Sequence, residues 1–242
     1  MKTKDTGSFR MKKQAKLYEE IFTKDKNERV EYGNIENSFR YFKKFKIKKD
    51  SQILDVGTNI GTLPNLMSKA DWKNVFGIDV TKNAIGFGKK KYPKISKNLI
   101  AYNGEKIPFK NNSFDVVTSF DVIEHIPKPS KILDEIYRVL KPNGIFIFQT
   151  PNKIINSCWE TLQFNSLNWK KYHCSLQTPI SLKKLLENSN FHEIIIEKFS
   201  ISTKYNKDKV KKKLGIIFIP LLYVADLCPL IIFPNLWGSC KK

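Results

Sequence analysis

The feature that most constrains the fold is the segment Gln52–Val80, which reads QILDVGTNIGTLPNLMSKADWKNVFGIDV. Ile53, Leu54 and Val56 form a short apolar run, as expected for a strand that is covered on both faces in a parallel sheet. Gly57 and Gly61 bracket the following turn, and leucines at helical spacing come next. A second apolar strand ends at Asp79. The segment therefore predicts a strand, turn, helix and strand unit with an acid at the end of its second strand.

Such a unit can bind an adenosine-containing molecule, because a ligand can approach the glycine backbone closely and an acid in the position of Asp79 can accept hydrogen bonds from ribose hydroxyls. The spacing G-T-N-I-G differs from the G-x-G-x-x-G fingerprint that admits a dinucleotide pyrophosphate. DVGTNIG followed by GIDV instead resembles the glycine motif and acidic loop of class I S-adenosylmethionine-dependent methyltransferases. Asn59 stands where the middle glycine is usual, and Asn is the residue other than glycine that best tolerates the left-handed region.

Three further stretches resemble the same family in the expected order. YNGEKIPFKNNSFDVV, from Tyr102 to Val117, is similar to the segment that faces the adenine. TSFDVIEHIPKP, from Thr118 to Pro129, resembles the fourth strand and its functional end. SKILDEIYRVLKPNGIFIFQTPN then predicts a helix, a turn at Pro142 to Gly144, and a fifth strand. The resemblance implies a Rossmann-like doubly wound α/β fold.

HCSLQTPISLKKLLENSNF, from His173 to Phe191, resembles the subgroup that contains ubiquinone-type O-methyltransferases. Thr178 can cap a helix that begins at Pro179, and the strand HEIIIEKF follows. The resemblance covers about residues 52–199. It implies S-adenosylmethionine as cofactor, with a binding set of ten residues: Asp55, Gly57, Asn59, Gly61, Asp79, Val80, Asn103, Gly104, Phe120 and Asp121.

Catalysis by such a protein is mostly positioning, because the methyl group needs only an in-line nucleophile. If the acceptor is a hydroxyl, a base must take its proton, and His125 after the fourth strand is the leading candidate. Glu124 could orient His125 or touch the acceptor. The alternative is that both residues form a polar junction that shapes the pocket. His173 is a second candidate for the base, and its alternative is a loop anchor.

The composition bounds the remaining possibilities. The chain has 242 residues and four cysteines without C-x-x-C spacing, so neither a metal site nor a disulfide framework is indicated. The N-terminus shows no signal-peptide pattern, and a cytoplasmic location is expected. We predict three parts: a helical cap over residues 1–50, a methyltransferase core over 51–199, and a basic then apolar segment over 200–242. The cap is expected to cover the substrate cleft with two helices, the second around Asn37 to Phe45.

The net charge of +20 suggests nucleic acid as a partner. Only four of the 43 basic residues are Arg, however, and the lysines are spread along the chain, so nucleic acid is disfavoured. An RNA-modifying methyltransferase stays as an alternative, as does a catalytically inactive cofactor-binding module. The preferred function is O-methylation of a small or lipid-like acceptor that residues 1–45 and 153–172 recognise. Oligomeric state is not predicted.

The C-terminal segment is apolar from Leu214 to Phe233 and is preceded by lysines. Three alternatives are open: a helix packed over the sheet with a closing strand, an element lying in the membrane interface through residues 211–233, or a membrane-spanning helix. A membrane-spanning helix would be interrupted by Pro220, Asp226 and Pro229. The closing strand of the family is expected to be short, displaced or absent. Membrane contact would favour a lipid acceptor such as a polyprenyl quinone precursor or a lipid-linked sugar, taken at the inner face of the membrane.

Overall fold

A computed structural model describes residues 6–24, 35–164, 173–202 and 204–242. Its seven strands are β1 (Gln52–Val56), β2 (Asn74–Asp79), β3 (Leu99–Ala101), β4 (Phe114–Phe120), β5 (Leu140–Pro151), β6 (His192–Glu197) and β7 (Asn235–Lys241). The α-helices of the described residues are α1 (Thr6–Lys24), α2 (Ile35–Phe42), α3 (Thr62–Lys69), α4 (Lys82–Lys91), α5 (Pro129–Val139), α6 (Lys153–Phe164), α7 (Pro179–Asn188), α8 (Lys204–Leu214) and α9 (Pro220–Asp226).

The strands form one sheet in the order β3-β2-β1-β4-β5-β7-β6. β1 to β5 pair in parallel, and β7 pairs antiparallel with both β5 and β6. The chain order reverses between β1 and β4, because β1 leads outward to β2 whereas β4 leads to the opposite half of the sheet. A crevice opens at such a switch point beyond the carboxyl ends of the strands. The predicted doubly wound α/β fold is confirmed.

Helices cover both faces of the sheet, as the fully apolar strands require. On one face, α2 and α3 bury Tyr41, Phe42 and Met67 against β1 and β2. On the other face, α5 and α7 bury Leu133 and Leu186 in the larger core cluster. The predicted cap of α7 is present, because the Thr178 side chain accepts a hydrogen bond from the Ser181 N–H at 3.1 Å and Pro179 is the first helical residue.

Two local expectations are wrong. The closing strand is neither short nor absent, because β7 pairs with β5 over seven residues, from Asn235 opposite Pro151 to Lys241 opposite Ile145. The turn at Pro142 to Gly144 is also absent. α5 ends at Val139 and β5 begins at Leu140, so these residues lie within β5, where the pairing with β4 shifts register. The division at residues 50 and 199 stays a prediction.

Candidate active site

A cavity of about 610 Å³ lies at the carboxyl ends of β1, β2 and β4, where the strand order reverses. Eight of the ten predicted cofactor residues line it, together with both predicted catalytic residues. They are Asp55, Gly57, Asn59, Asp79, Val80, Gly104, Phe120, Asp121, Glu124 and His125. Its volume falls in the range of small-molecule sites, roughly 300–1,000 Å³. We call the part beside the loop after β1 the cofactor half, and the part beside α1 and His125 the acceptor half.

The loop after β1 shows why glycine is needed there. Gly57 has φ of 80°, and a Cβ at that position would lie 2.2 Å from Cγ2 of Val122. Asn59 also adopts the left-handed region, with φ of 52°, which is the conformation that Asn tolerates best after glycine. Gly61 does not line the cavity. Its φ of 83° starts α3, and a Cβ there would lie 2.6 Å from Leu99 Cδ2.

Asp79 holds this loop at the end of β2. One carboxylate oxygen accepts a hydrogen bond from the Asn59 N–H at 2.8 Å, and the other accepts from the Thr81 N–H at 2.8 Å. Burial raises the pKa of Asp79, and these hydrogen bonds oppose the shift. Asp79 also lines the cavity, where its carboxylate could accept a hydrogen bond from a ribose hydroxyl.

A second buried acid, Asp55, lies within β1 between Leu54 and Val56. Its Oδ1 accepts a hydrogen bond from the Thr118 hydroxyl at 2.7 Å. Burial raises the pKa of Asp55 to about 7, while hydrogen bonds from Thr118 and Thr58 act in the opposite direction. The protein therefore maintains a desolvated carboxyl group below the cofactor half of the cavity.

The wall expected to face the adenine consists of Val80, Tyr102 and Gly104. Asn103, which was predicted for this wall, is not among the lining residues. Its side-chain oxygen accepts hydrogen bonds from the backbone N–H groups of Glu105 and Lys106, and the residue is exposed. Sequence reasoning missed Tyr102, which lies one position before the predicted residue.

Phe120 and Asp121 follow β4 and connect the two halves of the cavity. Asp121 has φ of 54°, and its N–H donates to the side-chain oxygen of Gln149 at 3.1 Å. Burial and the nearby charge of Glu124 raise the pKa of Asp121 to about 6. The strained backbone at Asp121 thus places its carboxyl group between the cofactor half and the acceptor half.

His125 ends the 3₁₀ helix Ile123–His125 and contacts two groups. Its Nδ1 lies 2.6 Å from the hydroxyl of Tyr18 on α1, and its Nε2 lies 3.5 Å from Oε1 of Glu124. The Tyr18 and His125 rings meet edge to face at 5.2 Å. The imidazole is therefore placed between a phenol and a carboxylate.

Glu124 is only 1% exposed. Its Oε2 accepts a hydrogen bond from the Thr150 hydroxyl at 2.9 Å, and its backbone oxygen accepts from the Ser175 N–H at 2.9 Å. These bonds fix the carboxylate beside His125 and tie the loop after residue 173 to the site. A carboxylate this deeply buried needs such hydrogen-bond partners.

His173 also lines the cavity, and its ring lies 4.9 Å from that of His125. Glu124, His125 and His173 each offer one ligand atom, and these three atoms lie within 4.8 Å of one another. Among the described residues, this cluster has a geometry that could hold a divalent cation. Sequence reasoning did not anticipate the grouping, because residues 125 and 173 are far apart in the chain.

α1 supplies the wall that sequence reasoning described only as a cover. Gln14, Ala15, Tyr18, Ile21 and Phe22 line the cavity. Their spacing places them on one face of a helix, which is the signal that could have identified them. From the second predicted helix, Ile35 lines the cavity. Of the predicted acceptor region 153–172, Asn156 lines the cavity, whereas residues 165–172 lie outside the described residues.

Comparison with known proteins finds methyltransferases among the relatives of this chain. Residues 54–148 match the family of the methyltransferase domain. The demethylmenaquinone methyltransferase of Lactobacillus johnsonii is 29% identical over 199 residues, which are 72% of this chain and 82% of the relative. The ubiquinone biosynthesis O-methyltransferase of Colwellia psychrerythraea is 33% identical over 111 residues, which are 45% of each chain.

Among solved structures, phosphoethanolamine N-methyltransferase 2 of Haemonchus contortus in complex with S-adenosyl-L-methionine matches 99% of this chain and 57% of its own length. The TM-score is 0.63 at 19% identity, so the likeness concerns the fold. The protein is a class I S-adenosylmethionine-dependent methyltransferase. In sequence it resembles the ubiquinone-type O-methyltransferases.

Proposed function

We propose that the protein methylates an oxygen atom of a small, lipid-like acceptor and that His125 is its general base. The observation that carries this proposal is the position of the His125 imidazole in the acceptor half, between the Tyr18 hydroxyl and the Glu124 carboxylate. A neutral imidazole in such a setting can take a proton and then share the resulting charge with the carboxylate. A pocket built only for binding does not require this arrangement.

The cofactor half fits S-adenosylmethionine. The backbone at Gly57 and Asn59 leaves a cradle, and Asp79 with Val80 provides the edge for a ribose. When bound there, the cofactor supplies a methyl group that its sulfonium already activates. The protein's task is then to exclude water, hold the acceptor oxygen in line with the methyl group and remove the acceptor's proton.

The contacts of His125 define where that proton goes. With Nε2–H directed at Glu124, the Nδ1 lone pair accepts a hydrogen bond from the Tyr18 hydroxyl. The Tyr18 oxygen can in turn accept a hydrogen bond from an acceptor hydroxyl. The acceptor's proton passes to the Tyr18 oxygen as the Tyr18 proton passes to Nδ1. His125 then carries the positive charge beside Glu124.

Two lines of support favour a lipid-like acceptor. Ile21, Phe22, Ile35 and Ile126 give the acceptor half apolar walls. One relative is named for methylation of demethylmenaquinone and another for O-methylation in ubiquinone biosynthesis, so both names refer to quinones. We therefore propose a hydroxylated ring that carries an apolar substituent as the acceptor class.

The test measures cofactor binding and turnover separately. Calorimetric titration of S-adenosylmethionine into the wild type and His125→Ala is expected to give dissociation constants within threefold of each other. With a panel of alkylated phenols and quinols, His125→Ala is expected to lower kcat by roughly 10²–10⁴. His173→Ala serves as the matched histidine control and is expected to cost less than tenfold.

If the wild type binds S-adenosylmethionine but turns over no phenolic or lipid acceptor, the alternative of a catalytically inactive cofactor-binding module would be favoured. Equal losses in the two histidine variants would contradict the assignment of the base to His125.

A further inference from the structure

The C-terminal part of the molecule exposes an unusual concentration of apolar side chains. Nine of the twelve exposed large apolar side chains among the described residues lie between residues 216 and 232. Ile217 is 79% exposed and Leu227 is 81% exposed. Neither α9 nor the 3₁₀ helices Ile216–Phe218 and Leu230–Ile232 contain a buried residue. We call residues 216–232 the apolar face. Contiguous surfaces of this kind mark interaction sites.

Polar groups attach the apolar face to the domain from its inner side. Asp226 accepts hydrogen bonds from the Ser200 hydroxyl and the Ile201 N–H, both at 2.7 Å. Lys198 donates to the backbone oxygens of Asp226 and Cys228 at 2.9 and 2.8 Å. The segment is thus fixed to the domain by polar contacts and by Leu230, which packs against the larger core cluster, and most of its large apolar side chains are left on the outside. Of the alternative of a helix packed over the sheet with a closing strand, the closing strand is present as β7, whereas α9 contains no buried residue.

Positive charge lies beside the apolar face. α8 has the sequence KYNKDKVKKKL, with six lysines and one aspartate, which gives it a formal charge of 6 − 1 = +5. Lys207 lies 4.8 Å from the centre of the Tyr223 ring, so α8 contacts α9 directly. Lys211 and Lys212 are exposed. No helix of the described residues is long and apolar enough to cross a bilayer.

We propose that the apolar face and α8 together dock on the surface of an anionic lipid bilayer. Apolar side chains entering the acyl boundary and lysines reaching anionic headgroups are the two components of interfacial binding. A second copy of the chain is disfavoured as the partner of this surface, because two α8 helices, each with a formal charge of +5, would repel each other across a symmetric interface. The docked segment lies in the interface without spanning it.

The docking surface is followed along the chain by a residue of the acceptor half of the cavity. Asn235 lines the cavity three residues after Ile232. Asn156, which also lines it, donates a hydrogen bond to the Pro234 oxygen at 2.7 Å. A lipid-like acceptor could therefore pass from the bilayer to the site along this segment. This last step rests on the proposed function, whereas docking itself does not.

The test is flotation of the full chain with vesicles of phosphatidylcholine alone or mixed with phosphatidylglycerol, without cofactor or acceptor. The wild type is expected to float with the mixed vesicles only. Lys211→Gln with Lys212→Gln is expected to weaken binding by about 30-fold, from about 1 kcal/mol per lysine near the surface. Ile217→Ser with Leu227→Ser is expected to weaken it at least tenfold. Circular dichroism and thermal melts verify that each variant is folded.

The matched controls carry the same substitutions elsewhere. Lys183→Gln with Lys184→Gln removes two exposed lysines of α7, and Ile180→Ser with Ile195→Ser removes two exposed isoleucines. Both controls are expected to bind like the wild type. Docking at this surface is overturned if the wild type stays unbound or if the surface variants bind like the controls. It is also overturned if sedimentation shows a dimer of the wild type that the double substitution Ile217→Ser with Leu227→Ser dissociates. Because no turnover is measured, failure of the proposed function would leave these results unaffected.

Discussion

The cofactor half and the acceptor half of the cavity are built in different ways. Beside the cofactor half, nine lining residues come from one segment of 29 residues, Gln52–Val80: Asp55, Gly57, Thr58, Asn59, Ile60, Thr62, Leu63, Asp79 and Val80. The acceptor half draws Tyr18, His125, His173 and Asn235 from four distant parts of the chain. The first half is held by backbone hydrogen bonds to Asp79, whereas the second depends on side-chain contacts between separate elements.

This comparison shows that local backbone conformation determines the cofactor half, whereas packing between distant elements determines the acceptor half. A bound cofactor of fixed shape can be met by a local turn whose backbone angles only Gly and Asn adopt readily. An acceptor site must place one reactive group against another with a precision that only packed elements provide. Substitutions in the cofactor half should therefore change binding, and those in the acceptor half should change turnover.

The largest effect is expected at Asp79. Asp79→Ala removes the acceptors for the Asn59 and Thr81 N–H groups and for the ribose. Two charge-assisted hydrogen bonds are worth about 3 kcal/mol together, so S-adenosylmethionine should bind more than 100-fold more weakly. Titration calorimetry with the cofactor and with S-adenosylhomocysteine measures this loss. Asp134→Ala, on the exposed side of α5, is the control, and equal affinities in the two variants would contradict the ribose assignment.

The next effect concerns stability at Asp55, whose pKa is raised to about 7 in the folded protein. Because the folded state holds this proton more tightly than the unfolded chain does, its contribution to stability is complete below the unfolded pKa and is lost as pH rises through about 7. Asp55→Asn removes this dependence. Between pH 5 and pH 8, the wild type should therefore lose about 2–3 kcal/mol of unfolding free energy relative to Asp55→Asn.

Urea unfolding at the two pH values, without cofactor, measures this difference. Asp134→Asn is the exposed control and should show no such change. A difference that does not vary with pH would indicate that Asp55 is charged at pH 5 in the folded protein.

A smaller effect, confined to turnover, is expected at Tyr18. Tyr18→Phe keeps the ring packed against His125 but removes the hydroxyl that contacts Nδ1. We expect kcat to fall by roughly tenfold, less than on loss of the base itself, because His125 stays in place to take the acceptor's proton directly, and we expect cofactor affinity to be unchanged. Tyr137→Phe, whose ring packs on Phe191 in the core beneath α7, is the matched control. A change in cofactor affinity would show that the two halves of the cavity are not independent.

The smallest effect is expected from removal of metal ions. Glu124 already accepts from Thr150, and His125 contacts Tyr18, so we expect excess EDTA to change turnover by less than twofold. Turnover assays before and after chelation test this. A large loss that Mg²⁺ or Zn²⁺ restores in the wild type but not in His173→Ala would instead assign a cation to the cluster of Glu124, His125 and His173.

Much of the fold could be predicted from local patterns. The apolar strands β1 and β2, the glycine turn and the capped helix α7 each depend on residues within a few positions of one another. The long β7 could not be predicted so readily, because the glycine, serine and lysine of NLWGSCK give a weak strand signal. Its seven-residue pairing with β5 stabilises it as a strand between β5 and β6.

The sequence by itself determined the class of protein and, in the cofactor half, the loop after β1 and the acid at the end of β2, because backbone conformation at Gly57 and Asn59 and the position of Asp79 are local properties. Only the tertiary structure decided that Tyr18 meets His125 across 107 positions of the chain and that residues 216–232 stay exposed. Contacts between distant side chains depend on how helices and strands pack, and no pattern along a single segment specifies that packing.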